Sequence, residues 1–468
     1  MGTTFRSSLA LRSVLASTQI APRTFGSRQL SLMQMKPYDF VDYMKENGMQ
    51  RCFVVYDNDK KVPTTSNDQV LGDLKMFCEN EPHDYKQHEG AFLEIGKRSG
   101  SLLGAFVWRT NRGQSCGGIR LWEYDTVEEY IKDGLRLSYG MGVKSALAGL
   151  WAGGGKGVIA SPSREKINDA NFRRDMFLDY GDFLTSLNGC YVAAEDAGVV
   201  VDDLDNVFQN TRFLTCISEG KGGSGNPSVA TGKGIVCGME AALHFLNMGT
   251  IEGKSVVTQG VGNVARVIID TLLDKNVGHI YGSDCNEEAL DAAEKMFAHK
   301  NGGRLQLQHV EKGEVGTLSK PCDILSPNAL GNVLTEQTIP LINASIVCGA
   351  ANNQLGKPSD NELMKERGIT YAVDFLVNRM GIVNCANEAY GRLQDDPALT
   401  QHFGKEWEHS IWNVLHHVLR TAREKDITPV DAAAEIAEGM SVEWHPIWPQ
   451  RSQHIIRDLV NTGWCSKE

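Results

Sequence analysis

The sequence predicts an α/β chain of two domains with a cleft between them, the second domain built on a doubly wound parallel sheet. Three observations carry this. The chain has 468 residues, more than one ordinary hydrophobic core serves. Beyond residue 254, short β-rich runs alternate with helical stretches, the pattern of a parallel sheet covered by helices. Between the halves lies a polar run, Gly220-Lys221-Gly222-Gly223-Ser224-Gly225, whose composition reads as a boundary or hinge.

Taken in order, residues 1–38 carry Arg6, Arg12, Arg23, Arg28 and Lys36, and the first acid is Asp39. Ser and Thr are frequent there, and Leu9, Leu11, Val14 and Leu15 can share a helical face. That composition describes an organellar transit peptide, and the mitochondrial matrix is the expected destination, with another organelle or the cytoplasm as the alternative. Residues 91–95 and 102–108 read as strands joined by a turn at Lys97-Arg98-Ser99-Gly100. Residues 126–141 read as a helix: Thr126 caps it, Glu128 and Glu129 occupy its first turn, and Val127, Tyr130, Ile131, Leu135 and Leu137 form its apolar stripe. A further helix is predicted over 169–187.

In the second half, strands are predicted at 255–258, 279–283, 323–325, 345–347 and 371–373, with a helix over 263–273. A mainly helical tail follows over 407–438. The domain boundaries that result are 1–38 for the leader, 39–222 for the first domain, 223–390 for the second, and 391–468 for helices returning to the first.

Bulk properties exclude several functions. The formal net charge of −11 argues against nucleic-acid binding through a basic face. No apolar run is long enough for a membrane span, so no membrane partner is expected. The eleven cysteines are dispersed without a C-x-x-C pair, so no metal site is expected and the set reads as reduced thiols.

The run Gly153-Gly154-Gly155-Lys156-Gly157 places a lysine in backbone with almost no side chains beside it. Its bland interpretation is an exposed lysine on a flexible glycine turn. A desolvated ammonium instead loses charged-state stabilisation and its pKa falls, which suits a general base. Lys144 stands twelve positions earlier and Asp196 forty positions later. Asp196 is expected to take the proton of a substrate amino group. Lys144, still charged, is expected to depress Lys156 further and to pin a carboxylate.

A dinucleotide fingerprint follows. Gly260-Val261-Gly262-Asn263-Val264-Ala265 fits G-x-G-x-x-A between a predicted strand and a predicted helix. Gly260 permits the tight turn, Gly262 lets the backbone approach a pyrophosphate, and Ala265 allows close helix–strand packing. The helix N-terminus supplies free N–H groups for the phosphates. Asp284, twenty-two positions after Gly262, is placed to receive ribose hydroxyls. It would repel the additional phosphate of NADP, so NAD is the expected cofactor on a Rossmann fold.

Together these segments resemble the glutamate/leucine/phenylalanine/valine dehydrogenase family, most of all its leucine-dehydrogenase members. The matching runs are Gly117-Gly118-Ile119-Arg120, residues 140–150, the GGGK run, Ala194-Glu195-Asp196-Ala197-Gly198, Gly225-Asn226-Pro227-Ser228, the fingerprint, Ala329-Leu330-Gly331, and Gly349-Ala350-Ala351-Asn352-Asn353-Gln354. The resemblance implies a catalytic Lys156 and Asp196, a carboxylate-binding Lys144, and Gly118 lying against the substrate. It also implies Thr231, Ala329 and Asn352 at the cofactor and Asn353 beside the substrate. A first domain that binds substrate and oligomerises, homo-oligomeric assembly, and reversible NAD-dependent deamination of an L-amino acid to a 2-oxo acid and ammonium follow from it.

In the glutamate-specific relatives a lysine precedes the Gly117-Gly118 pair, whereas here it is Cys116. A thiol cannot pair with a side-chain carboxylate, and burying that charge unpaired is costly. With Ala194 nearby, an apolar substrate is expected, branched-chain first and aromatic second. Arg379-Met380 and Asn328 depart from the family pattern, which raises the prospect of bulk near the pocket or of a catalytically silent NAD-binding member. A dehydrogenase of non-amino-acid substrates would not need the lysine pair.

Overall fold

A computed structural model describes residues 31–391, 393 and 395–466. Two sheets organise it. The first has seven strands: β1 (Arg51–Asp57), β2 (Val62–Thr65), β3 (Gly90–Ile95), β4 (Leu102–Val107), β5 (Ser115–Trp122), β6 (Gly153–Ala160) and β7 (Tyr191–Glu195), in the order β2-β1-β3-β4-β6-β5-β7. β3 and β4 form the expected antiparallel hairpin, while β5 runs parallel to both β6 and β7.

The second sheet is all parallel: β8 (Ser255–Gln259), β9 (His279–Asp284), β10 (Leu305–His309), β11 (Cys322–Pro327), β12 (Ala344–Val347) and β13 (Thr370–Tyr371). Its order, β10-β9-β8-β11-β12-β13, reads 3-2-1-4-5-6, the doubly wound dinucleotide-binding arrangement. The two-domain α/β expectation holds.

The glycine run is not a turn. It opens β6, whose eight residues are all buried. The missing side chains admit neighbours: a Cβ on Gly154 would meet the Gly142 backbone of helix Val127–Leu147, and one on Gly155 would lie 2.7 Å from the Tyr191 ring. Thr126 caps that helix through Oγ1 to the Glu129 N–H at 3.2 Å, as its sequence suggests. The helix continues six residues past the predicted end, carrying Lys144 in its last turn.

Residues 31–38, assigned to the leader by composition, are part of this packing. Leu32 and Met33 are buried, and the Val127 N–H donates to Met35 O at 2.8 Å. Positions 1–30 lie outside the described residues.

After the second sheet the chain doubles back. Helix Ile411–Lys425 packs on Ser228–Phe245 of the second domain, and Pro429–Ser441 packs on Val127–Leu147 of the first. Trp464 closes the return, buried edge-on to Phe92, with its Nε1 donating to Ser186 at 3.1 Å.

The expectation of reduced thiols throughout is corrected at one place. Cys216 and Cys385, 169 positions apart, form a disulfide, and the other nine cysteines are free. The first lies where the chain leaves the first domain and the second on helix Met380–Asn387, where it leaves the second. Spacing gave no hint because the pair is brought together only by the hinge.

Candidate active site

The strand register brings the expected residues of the first domain onto one face. Cys116 of β5 pairs with Gly154 of β6 and Val192 of β7, and Gly118 pairs with Ala194. Lys156 sits one position before Gly157, the partner of Ile119. Because side chains alternate along a strand, Cys116, Gly118, Gly154, Lys156, Val192 and Ala194 share the face covered by helix Val127–Leu147. Asp196 follows directly after β7.

Lys156 is buried, with 2 % of its surface exposed. Its Nζ lies 2.7 Å from Asp196 Oδ2, and the Asp196 side chain is a quarter exposed. Burial drives the Lys156 pKa down, against the attraction of Asp196 and with the repulsion of Arg120. Arg120 is thus the leading cation acting on Lys156, and Lys144 and Lys156 repel each other as well. Burial pushes Asp196 the other way, but the charges and hydrogen bonds of Lys156 and Arg120 outweigh it and hold its carboxyl at about 2. Lys144 is not permanently cationic: burial lowers it to about 8, opposed by Asp374 and Asp196 and reinforced by Lys156.

Arg120 was visible only as part of a matching run. Its Nε lies 3.0 Å from Asp196 Oδ2, and its Nη1 lies 3.1 and 3.2 Å from the two oxygens of Asp133. Tyr124 donates to Asp133 Oδ2 at 2.6 Å. Asp374 was likewise unassigned. It is buried at the edge of the second sheet, burial raises its pKa, and it accepts from the Gln354 N–H at 3.2 Å. It thus connects Lys144 electrostatically with the turn that carries Asn352 and Asn353.

Both asparagines of that turn are exposed. Asn352 Oδ1 accepts from Asn378 at 2.8 Å, and Asn353 holds a left-handed φ of 52° while its carbonyl accepts from the Asn332 N–H at 2.7 Å. Arg379 and Met380 crowd nothing at Lys156. The Arg379 guanidinium donates to the carbonyls of Leu147 and His409 and contacts His402, and Met380 packs beside Gly234. Burial lowers Arg379 to about 9. Asn328 bridges loops, accepting from the Ala350 N–H at 2.8 Å.

The fingerprint forms the turn its glycines predict. Gly260 has φ +94°, and Ala329 stands 3.0 Å from where its Cβ would lie. A Cβ on Gly262 would meet nothing within 4 Å, and helix Asn263–Asp274 starts there without a side-chain cap. Gly262 and Asn263 are exposed, Val264 is half-buried, and Ala265 is packed inside. Asp284 ends β9 and accepts from the Val261 N–H at 2.7 Å. Thr231, buried on helix Ser228–Phe245, donates to Pro227 O at 3.0 Å. An open, uncapped helix N-terminus with an acid at the end of the next strand fits a dinucleotide's pyrophosphate and ribose.

A doubly wound cofactor domain beside a buried lysine–aspartate pair defines an NAD-dependent dehydrogenase. The comparisons narrow the class. Residues 222–443 match Glutamate/Leucine/Phenylalanine/Valine dehydrogenase, and residues 104–213 match the Glu/Leu/Phe/Val dehydrogenase dimerisation domain. The chain belongs to this family.

It is 38% identical to a leucine dehydrogenase of Geobacillus stearothermophilus, over 78% of this chain and 93% of the relative. It is 34% identical to an L-tryptophan dehydrogenase of Nostoc punctiforme, over 75% of this chain and 92% of the relative. A crystal structure of L-tryptophan dehydrogenase from Nostoc punctiforme superposes with a TM-score of 0.62 at 30% identity, covering 76% of this chain and 96% of that one. The protein accordingly carries out NAD-linked oxidative deamination of an amino acid to a 2-oxo acid and ammonium. Its partners are small molecules.

Proposed function

We propose that the substrate is an apolar L-amino acid, branched-chain and leucine-like first. The observation that carries this is the neighbourhood of Cys116 on the strand face: its strand partners are Gly154 and Val192, neither of them charged, and burial keeps the Cys116 thiol neutral by pushing its pKa up to about 12. A second carboxylate placed there would be unpaired and disfavoured. The likeness to an L-tryptophan dehydrogenase supports an aromatic substrate as the second reading.

In this reading Lys144 binds the substrate carboxylate, Gly118 lets the substrate lie against β5, and Asn353 stands beside it. Thr231, Ala329, Asn352, Asp284 and the fingerprint hold NAD, which supplies the hydride acceptor. Asp196, already ionised, orients the substrate ammonium. Moving the ammonium proton onto a carboxyl with a pKa of about 2 is steeply uphill, so Lys156 is the better base for that proton; once it has passed the proton to solvent, the neutral amine can take a proton from the water that attacks the imine. Lys144 fixes the α-carbon, a positioning effect.

A panel of twenty amino acids, each with NAD and NADP, tests the reading. Turnover with leucine, valine or isoleucine and NAD is expected; a best rate with tryptophan or phenylalanine establishes the second reading, and no turnover overturns both. We place the enzyme in the mitochondrial matrix, with cleavage of its leader ahead of the folded residue Ser31. Import into isolated mitochondria, followed by N-terminal sequencing, tests that placement.

A further inference from the structure

Two cations converge on a single oxygen of Asp196. Lys156 Nζ and Arg120 Nε lie 2.7 and 3.0 Å from Oδ2, and no described side chain donates to Oδ1. Arg120 is itself clamped, since its Nη1 spans both oxygens of Asp133, and Tyr124 holds Asp133 from the far side. We infer that Arg120, braced by Asp133 and Tyr124, is a positioning residue that turns Asp196 so that Oδ2 stays inside the protein, Oδ1 is left for the substrate ammonium, and the Lys156 proton remains transferable. The inference rests on the reading of Lys156 as general base.

The physical argument has two parts. Donors that approach one oxygen from different strands fix the carboxylate plane, which a single lysine on a flexible stem does not. Charge supplies the second part. A buried lysine paired with an aspartate alone keeps its proton, because losing it would strand an unpaired carboxylate. Arg120 cannot give up its own proton, so Asp196 retains a cationic partner when Lys156 is neutral.

The charged and titratable groups around the Lys156–Asp196 pair are Glu195 at the end of β7, Arg120 on β5, Asp133 and Lys144 on helix Val127–Leu147, and Tyr124 in the preceding loop. Asp374 acts from the second domain through Lys144. Tyr180 and Tyr191 on the opposite sheet face stay neutral, since burial raises both. Among these, Arg120 is the one fixed cation that touches the pair.

The test is the pH profile of kcat/KM for deamination of the best substrate in the wild type, Arg120→Met, Arg120→Lys, Asp133→Asn and Lys156→Ala. Without Arg120, the attraction of Asp196 raises the Lys156 pKa, so more amine stays protonated and the acid limb moves to higher pH. A shift of about one unit is expected for Arg120→Met, read as a roughly tenfold loss on the acid limb that recovers at high pH. Arg120→Lys should hold the limb near its wild-type position but lower kcat, because an ammonium cannot span Asp133 and Asp196 together. Asp133→Asn removes an anion that itself raises Lys156, so its limb should move to lower pH, opposite to Arg120→Met, while kcat falls as Arg120 loses its brace.

The pH dependence of Lys156 acylation by an amine-directed reagent, read by mass spectrometry, should shift in parallel without any turnover. If Arg120→Met fails to fold, Tyr124→Phe, which loosens the Asp133 brace without removing a charge, carries the test, with a smaller move of the limb to higher pH expected. Unmoved limbs with an inactive Lys156→Ala overturn the inference and leave the reading standing. An active Lys156→Ala overturns the reading itself.

Discussion

A Cβ on Gly118 would stand 2.6 Å from the Cβ of Asp196 and would overlap the carbonyl oxygen of Glu195. The glycine is thus the space that lets β7 deliver Asp196 beside β5. Gly118→Ala is expected to push Asp196 aside and break its contact with Lys156 before it harms folding, since Ala194 and Asp196 lie at the sheet edge. Displacements of this size cost on the order of 100-fold in rate. Steady-state kcat beside thermal unfolding checks this; a variant that keeps wild-type kcat would show that the contact is dispensable.

The Lys144 side chain makes no hydrogen bond or ion pair among the described residues, and burial holds it at about 8. A lysine is cationic below its pKa, so its hold on a carboxylate should be full at pH 7 and fade as pH rises through about 8. The 2-oxo acid is the clean probe, because it has a carboxylate and no amino group to titrate. Its dissociation constant should rise above that pH in the wild type and stay flat to about pH 10 in Lys144→Arg, whose guanidinium does not titrate there. Identical profiles in both proteins would assign the carboxylate to another group.

Asp284 spends one oxygen on the Val261 N–H and the other on the Asn286 N–H at 2.9 Å, so it shapes the glycine turn; in the proposed reading it also meets the ribose. Asp284→Ser keeps a small acceptor but removes the charge that disfavours a 2′-phosphate. The KM for NAD should rise by roughly tenfold while the preference for NAD over NADP narrows by more. An unchanged preference would mean that Asp284 does not select the cofactor.

What the sequence disclosed was local. The Thr126 cap, the β3–β4 hairpin and the strand–turn–helix of the fingerprint each lie within a few residues, and each was readable. β6 was not legible as a strand because glycine is a poor strand residue, and only the approach of Gly142 and Tyr191 explains why glycines are needed there. Arg120 carried no readable role because its partners stand 13 and 76 positions away. Arg379 looked like an obstruction in sequence, yet it is tied to the Leu147 carbonyl 232 positions earlier. Burial, not composition, brought Lys144 to about 8, and no linear pattern reports burial across a domain boundary.

The Cys216–Cys385 disulfide joins the two segments through which the chain passes between domains. Glu388, three positions past Cys385, reinforces it by accepting from the Cys216 and Ser224 N–H groups at 2.8 and 2.7 Å. Because the bond closes a long loop, it should contribute roughly 2–4 kcal/mol to stability. Titration of the unfolded, unreduced protein should find nine thiols, rising to eleven after reduction. Reductant should lower the melting temperature of the wild type by several degrees and leave Cys385→Ser unaffected, with Glu388 still holding the hinge. Eleven thiols before reduction, or equal melting with and without reductant, would show that the two sulfurs do not bond in solution.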